Sequence, residues 1–196
     1  MISSRLRINN RNFFKYKFFN SLFLGTSLGS IFTIYAPLDP AVYSIGGIAL
    51  AVSLLIVATL YSRILNINYF YKISLFVELV ILTVIIAFLL LSFNYQIALI
   101  VYIGYQITFM FGSYLVRGET LILKKDRLLT LVDVSKQFGY LSGLGISFLF
   151  YKIIEYKFQI IDNQTQVFYI HYLLLLIEIV VIYFLIKSFE KSYQIR

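Results

Sequence analysis

Six long apolar stretches alternate with short polar ones along the chain, at about Phe18–Leu38, Ala41–Ser62, Phe70–Ser92, Gln96–Arg117, Phe138–Glu155 and Val167–Lys187. A helix that crosses the hydrocarbon of a bilayer needs roughly 20 mostly apolar residues, and each stretch is of that order. The pattern predicts an all-α, polytopic membrane protein with six crossings in a single domain, 1–196. The only two prolines, Pro37 and Pro40, fall in APLDP between the first two stretches, where they end one helix and begin the next. The longest polar connection, 118–136, alternates leucines with charges at helical spacing, and it is expected to lie as an amphipathic helix on the cytoplasmic membrane surface. Residues 1–17 read as a charged, disordered cytoplasmic arm, and residues 188–196 as a cytoplasmic tail.

Composition sharpens this picture. Hydrophobic residues make up 60% of the chain, against roughly 45–50% in soluble domains, and the mean hydropathy is +0.85. With only 13% charged residues, there is no room for a sizeable water-soluble domain. Of the seventeen Lys and Arg residues, only Lys152 and Lys157 fall on one side of the expected bilayer, and all the others fall on the opposite side. Because basic residues accumulate on the cytoplasmic side, both termini are expected there, in a bacterial cytoplasmic (inner) membrane. The basic residues ahead of the first apolar stretch precede no small-residue cleavage site, so that stretch reads as a retained span.

The net charge of +8 is thereby a topology signal, and no nucleic-acid partner is expected. The absence of cysteine excludes disulfides and thiolate chemistry, and one histidine with scattered acids does not assemble a zinc or haem site. No metal, cofactor or enzymatic activity is expected, since no nucleophile and base stand together.

Small residues four apart allow close approach of helices in lipid. The first stretch has Ser21, Gly25, Gly29 and Thr33, and the fifth has Ser135, Gly139, Gly143 and Ser147. The fourth has Gly104, Thr108 and Gly112, and the second has Gly47 and Ala51. A second kind of face is polar. Tyr102, Gln106 and Ser113, flanked by Tyr105 and Phe109, share one side of the fourth stretch, and Thr26, Ser30 and Tyr35 are similarly placed on the first. Such residues either make interhelical hydrogen bonds or line a path for a solute.

Two apolar runs each carry one acid: Glu78 in LFVELVILTV and Glu178 in LLLLIEIVVIY. A free carboxylate does not face lipid without a partner. Three readings stand for Glu178: a neutral carboxyl hydrogen-bonded to a neighbouring Tyr, Ser or Gln; a proton-coupling site; or an ion pair. His171 lies seven residues earlier, on the same helix face and nearer the outer surface, where it is either simply solvated or part of a proton path with Glu178.

With LYSRILN after the second stretch, VRGETLILKKDR after the fourth and GYLSGLG in the fifth, the chain resembles the N-terminal six-helix half of a major facilitator superfamily transporter. Ala58 stands near the glycine of that family's cytoplasmic signature, Ser62 at its aspartate, and Arg63 at its arginine. Gly139, Gly143 and Gly145 resemble the family's glycine-rich fifth helix. The resemblance implies two inverted three-helix repeats, with the first and fourth helices lining a cavity and the third and sixth at the periphery. Both acids then sit on the last helix of a triplet. Arg63 is the candidate cytoplasmic gate residue. Two functions stay open: a secondary-transporter-like half unit that moves a small solute as a homodimer or with a partner membrane chain, and a non-transporting scaffold that binds another membrane protein.

Overall fold

The computed structural model describes residues 3–91 and 93–194, with side chains from Leu6 to Glu190. Eight helical segments account for most of it: α1 (Asn10–Tyr35), α2 (Pro40–Thr59), the single turn α3 (Tyr61–Ile64), α4 (Ile67–Leu90), α5 (Tyr95–Phe109), α6 (Gly112–Leu123), α7 (Asp126–Phe158) and α8 (Asn163–Lys187). The helix starts follow simple chemistry. Asn9, Asn66, Asn94 and Asp162 each accept, through a side-chain oxygen, the backbone N–H three residues on, which satisfies one of the donors that a helix leaves free at its beginning. Pro40, whose missing N–H costs nothing in a first turn, opens α2.

Five of these units are long and apolar enough to cross a membrane: α1, α2, α4, α5 with α6, and α8. The chain is a multi-pass integral membrane protein. The helix holding the fifth apolar stretch, α7, is 33 residues long but charged over its first turns and again at Lys152, Glu155 and Lys157. The fourth stretch is interrupted: at Met110 and Phe111 the backbone switches to a bond from the Phe111 N–H to the Thr108 carbonyl, three residues back, before α6 begins.

α1 is the central helix, packed against α7 and α8; α8 also packs against α4, and α5 against α4 and α2. On the α1–α7 seam a Cβ at Gly25 would collide with the Tyr140 carbonyl oxygen, one at Gly139 with that of Phe18, and one at Gly143 with that of Leu22. Only glycine lets the two backbones approach so closely.

Three sequence expectations are corrected. Residues 3–17 are not an unstructured arm: they hold strand β1 (Ser3–Ile8) and the first two turns of α1, while the tail forms strand β2 (Phe189–Gln194). The strands pair antiparallel from Ser3↔Gln194 to Ile8↔Phe189, so the fold is not purely helical. The side chains of Arg5, Lys191 and Arg196, counted in the charge tally, lie outside the described residues. The 118–136 connection is no separate surface helix. Its first part completes α6 and its second begins α7, with a turn at Lys124, whose φ of 55° reverses the chain. Leucine and charge alternation at helical spacing describes the ends of two such helices as well as one lying on a surface.

Candidate functional site

Both acids are buried in the interior formed by α1, α4 and α8, with α8 packed on both α1 and α4. Glu78 is 2% exposed and Glu178 fully buried. Tyr16 Oη donates to Glu78 Oε1 at 2.7 Å, and Asn20 Nδ2 donates to the same oxygen at 3.0 Å. Among the described residues neither oxygen of Glu178 has a hydrogen-bond partner, and one turn before Glu78 the buried Ser74 hydroxyl is also unpaired. The electrostatic neighbours of Glu178 are Glu78 on α4, Tyr16 on α1 and Tyr105 on α5. The hydrogen bonding of the two acids differs, but the pattern of burial along their helices matches. From Lys72 to Thr83 on α4 and from Tyr172 to Tyr183 on α8, the order of buried, half-buried and exposed positions is identical. LFVELVIL and LLIEIVVI thus present the same face, with a glutamate at the same place in it.

His171 is buried but is not bonded to Glu178. Its Nδ1 donates to the Val167 carbonyl at 2.6 Å, and its ring stacks on Phe88 with centroids 4.0 Å apart. Seven residues of helix put it about 10 Å from Glu178 along the axis.

The polar residues of the first and fourth stretches separate into two groups. Tyr102 and Gln106 line a groove of about 450 Å³ between α2 and α5, together with Ile45, Gly46, Leu50 and Ser53. The Gln106 Oε1 is buried there without a partner. Tyr35 closes one end of this face: its ring lies edge-on to Tyr102, with centroids 5.4 Å apart, and its carbonyl accepts from Tyr43 Oη at 2.8 Å. Thr26 and Ser30 are elsewhere. Both are buried and donate to carbonyls of their own helix, Leu22 at 2.8 Å and Ser27 at 2.7 Å, and Thr26 Oγ1 also reaches the Gly143 carbonyl on α7 at 3.4 Å; neither lines the groove. Tyr105 is buried with its ring against Phe109, and Ser113 lies beyond the α5–α6 break, exposed. Arg63 is exposed on α3, where its carbonyl accepts from Asn66 Nδ2 at 3.0 Å.

Among the glycines expected to pack, Gly104 does so: a Cβ there would strike the Val84 side chain. Gly29 borders only the Tyr151 ring, at 3.5 Å from where its Cβ would be, and Gly112 has open space before it. Spacing identifies a stripe without saying which of its members meets a neighbour.

One cluster escaped the sequence reading. Lys17 Nζ lies 2.6 Å from Glu119 Oε2, and Lys136 bonds the other oxygen of the same carboxylate. The cluster joins α1, α6 and α7. The buried Lys17 ammonium also lies over the rings of Phe13, Tyr16 and Phe70, at 5.4, 5.2 and 5.9 Å, where aromatic faces favour a cation. A usable signal was present: Lys17 stands inside FFKYKFF, too deep in aromatic sequence to be left without a counter-charge.

Compared with protein-family models, curated proteins and solved structures, the chain matches none of them.

Proposed function

We propose that the chain is a proton-coupled, secondary-transporter-like membrane unit of six crossings, built as two inverted three-helix repeats with both ends in the cytoplasm of a bacterial cell. It acts as a homodimer or with a partner membrane chain, as a half of the major facilitator kind does. The observation that carries this reading is the matched pair of acids: Glu78 and Glu178, at the same place in two equivalent helix faces, buried within electrostatic reach of each other, one of them with no hydrogen bond. A buried carboxyl without a structural partner is costly, and proton exchange gives it a use.

Two further observations support the arrangement. The β1–β2 ribbon holds residues 3–8 beside residues 189–194, which favours an even number of crossings, and six is reached if α7 crosses along with the five apolar units. Which helices touch also maps onto itself when the first helix is exchanged for the fourth, the second for the fifth and the third for the sixth, although α2 meets α5 far more sparsely than α1 meets α7. Thus α1 with α7 answers to α5 with α2, α1 with α8 answers to α5 with α4, and α4 with α8 answers to itself.

The test is infrared titration of the purified protein in lipid. A carboxyl band that changes with bulk pH should disappear in Glu178→Gln while the helical signature is retained. An unchanged spectrum in that variant would count against coupling through Glu178.

The scaffold reading is favoured by one observation, the near absence of partners for α2, in which Val57 is the only buried residue. Co-purification with another membrane protein, undisturbed by substitution of Gln106, would support it.

A further inference from the structure

We infer that the groove between α2 and α5 is the solute site, and that its solute is a small lipophilic molecule carrying one hydrogen-bonding group, taken up laterally from the bilayer. The inference rests on the transporter reading and assigns the substrate class to it.

Size comes first. A volume of about 450 Å³ lies within the range of roughly 300–1,000 Å³ that small-molecule sites occupy. The walls are apolar, formed by side chains such as Ile45, Leu50, Leu99 and Ile103, and no charged residue lines the groove. A charged or many-hydroxyl solute would lose its water there without replacement.

The polar groups present are few, and all but one are occupied. Ser53 Oγ donates to the Ala49 carbonyl at 2.8 Å, and Tyr102 Oη is directed to the Tyr43 carbonyl at 3.4 Å. Gly46 makes that second position possible, since a Cβ there would strike the Tyr102 ring and hydroxyl. The Gln106 amide remains. Its oxygen is buried with no partner among the described residues, so a single hydroxyl or amide N–H on the solute has one acceptor to bind. Lateral access follows from α2, whose outer positions Ile45, Ile48, Val52 and Leu55 are exposed to the surroundings, which here are lipid.

A pair of photoreactive diazirine probes of equal chain length, a long-chain alcohol and the matching alkane, tests the proposal on the intact protein in lipid nanodiscs. Labelled positions are mapped by mass spectrometry. The alcohol should label α2 and α5 saturably and in preference to the alkane. Ala49→Phe, which fills the groove, should abolish that labelling. Gln106→Leu should weaken the alcohol about tenfold, the worth of one hydrogen bond, and bring it level with the alkane. Equal, non-saturable labelling of every lipid-facing helix by both probes in the wild type would mean that bulk lipid chains alone occupy the groove, and would overturn the proposal without recourse to any variant. The labelling of the wild type needs no proton movement to be read, and the infrared titration of Glu178→Gln needs no probe, so failure of the groove assignment and failure of proton coupling are read separately.

Discussion

Where α1 meets α7, three glycines bring backbone against backbone and Glu119 binds two lysines across the seam. Where α2 meets α5, glycine serves a different end: Gly46 admits the Tyr102 side chain, while Gly47 on the next residue faces nothing within 4 Å. Both sides use small residues in a lipid-soluble fold, yet one is a closed joint and the other an open groove. Small residues permit close approach, and whether it happens depends on what else ties the helices. The closed side has a charge cluster and the acid network next to it. The open side has the Gln106 Oε1 buried without a partner among the described residues.

The largest test of this contrast is Glu119→Ala, which leaves Lys17 and Lys136 without their shared counter-charge. Removing one member of a buried ionic cluster costs about 3–5 kcal/mol. The variant should show a marked fall in Tm in detergent or nanodiscs, and an unchanged Tm would mean the cluster does not hold the seam. Next comes a pair of identical substitutions at unlike places. Gly139→Leu must push α1 off α7 and should lose about 1–3 kcal/mol as overpacking does, whereas Gly47→Leu should leave thermal stability as it is. If Gly47→Leu leaves the Tm unchanged but breaks an oligomer seen by native mass spectrometry, the open face is where a second chain sits.

Tyr16→Phe is a smaller perturbation. It removes one of the two donors to Glu78 and should cost about 1 kcal/mol, read by thermal unfolding, with Asn20 keeping the carboxyl partly satisfied. The smallest effect is at the N-terminal end of α8. The Thr165 hydroxyl and backbone N–H both donate to the exposed Asp162, which holds its carboxyl below the usual aspartate range. Its contribution is present above the unfolded aspartate value and is lost as pH falls through the lower, folded one. Amide exchange in the first turn of α8 should therefore quicken in acid. In Asp162→Asn, which still caps the helix but does not titrate in this range, that pH dependence should vanish.

Much of the membrane architecture was legible in the sequence because the solvent imposes it: runs of about 20 apolar residues have few other uses. The asparagines at 9, 66 and 94 cap helices that begin before the apolar stretches do, a signal that hydrophobic patterning alone passes over. That Glu78 and Glu178 turn away from lipid was legible too, and so was the shared face of Tyr102 and Gln106. What the hydroxyls of Thr26 and Ser30 do was not, because a hydroxyl within a helix bonds the carbonyl three or four residues back or a ligand with the same local sequence. The turn at Lys124 was hidden for a related reason. A left-handed residue there is ordinarily announced by glycine, and a lysine gives no such signal. Tyr16 to Glu78 and Lys17 to Glu119 join residues 62 and more than 100 positions apart, and only the packing of α1 among its neighbours brings them together.

The central claim is that the chain crosses the bilayer an even number of times and returns to its starting side, which sets α4 and α8 as inverted partners. Because the sequence contains no cysteine, single cysteines introduced at Ser4, Ser192 and Gln164 give an unambiguous reading with a membrane-impermeant maleimide on oriented vesicles. The account predicts that positions 4 and 192 are labelled only from the cytoplasmic side and position 164 only from the opposite side. Labelling of positions 4 and 192 from opposite sides would contradict it.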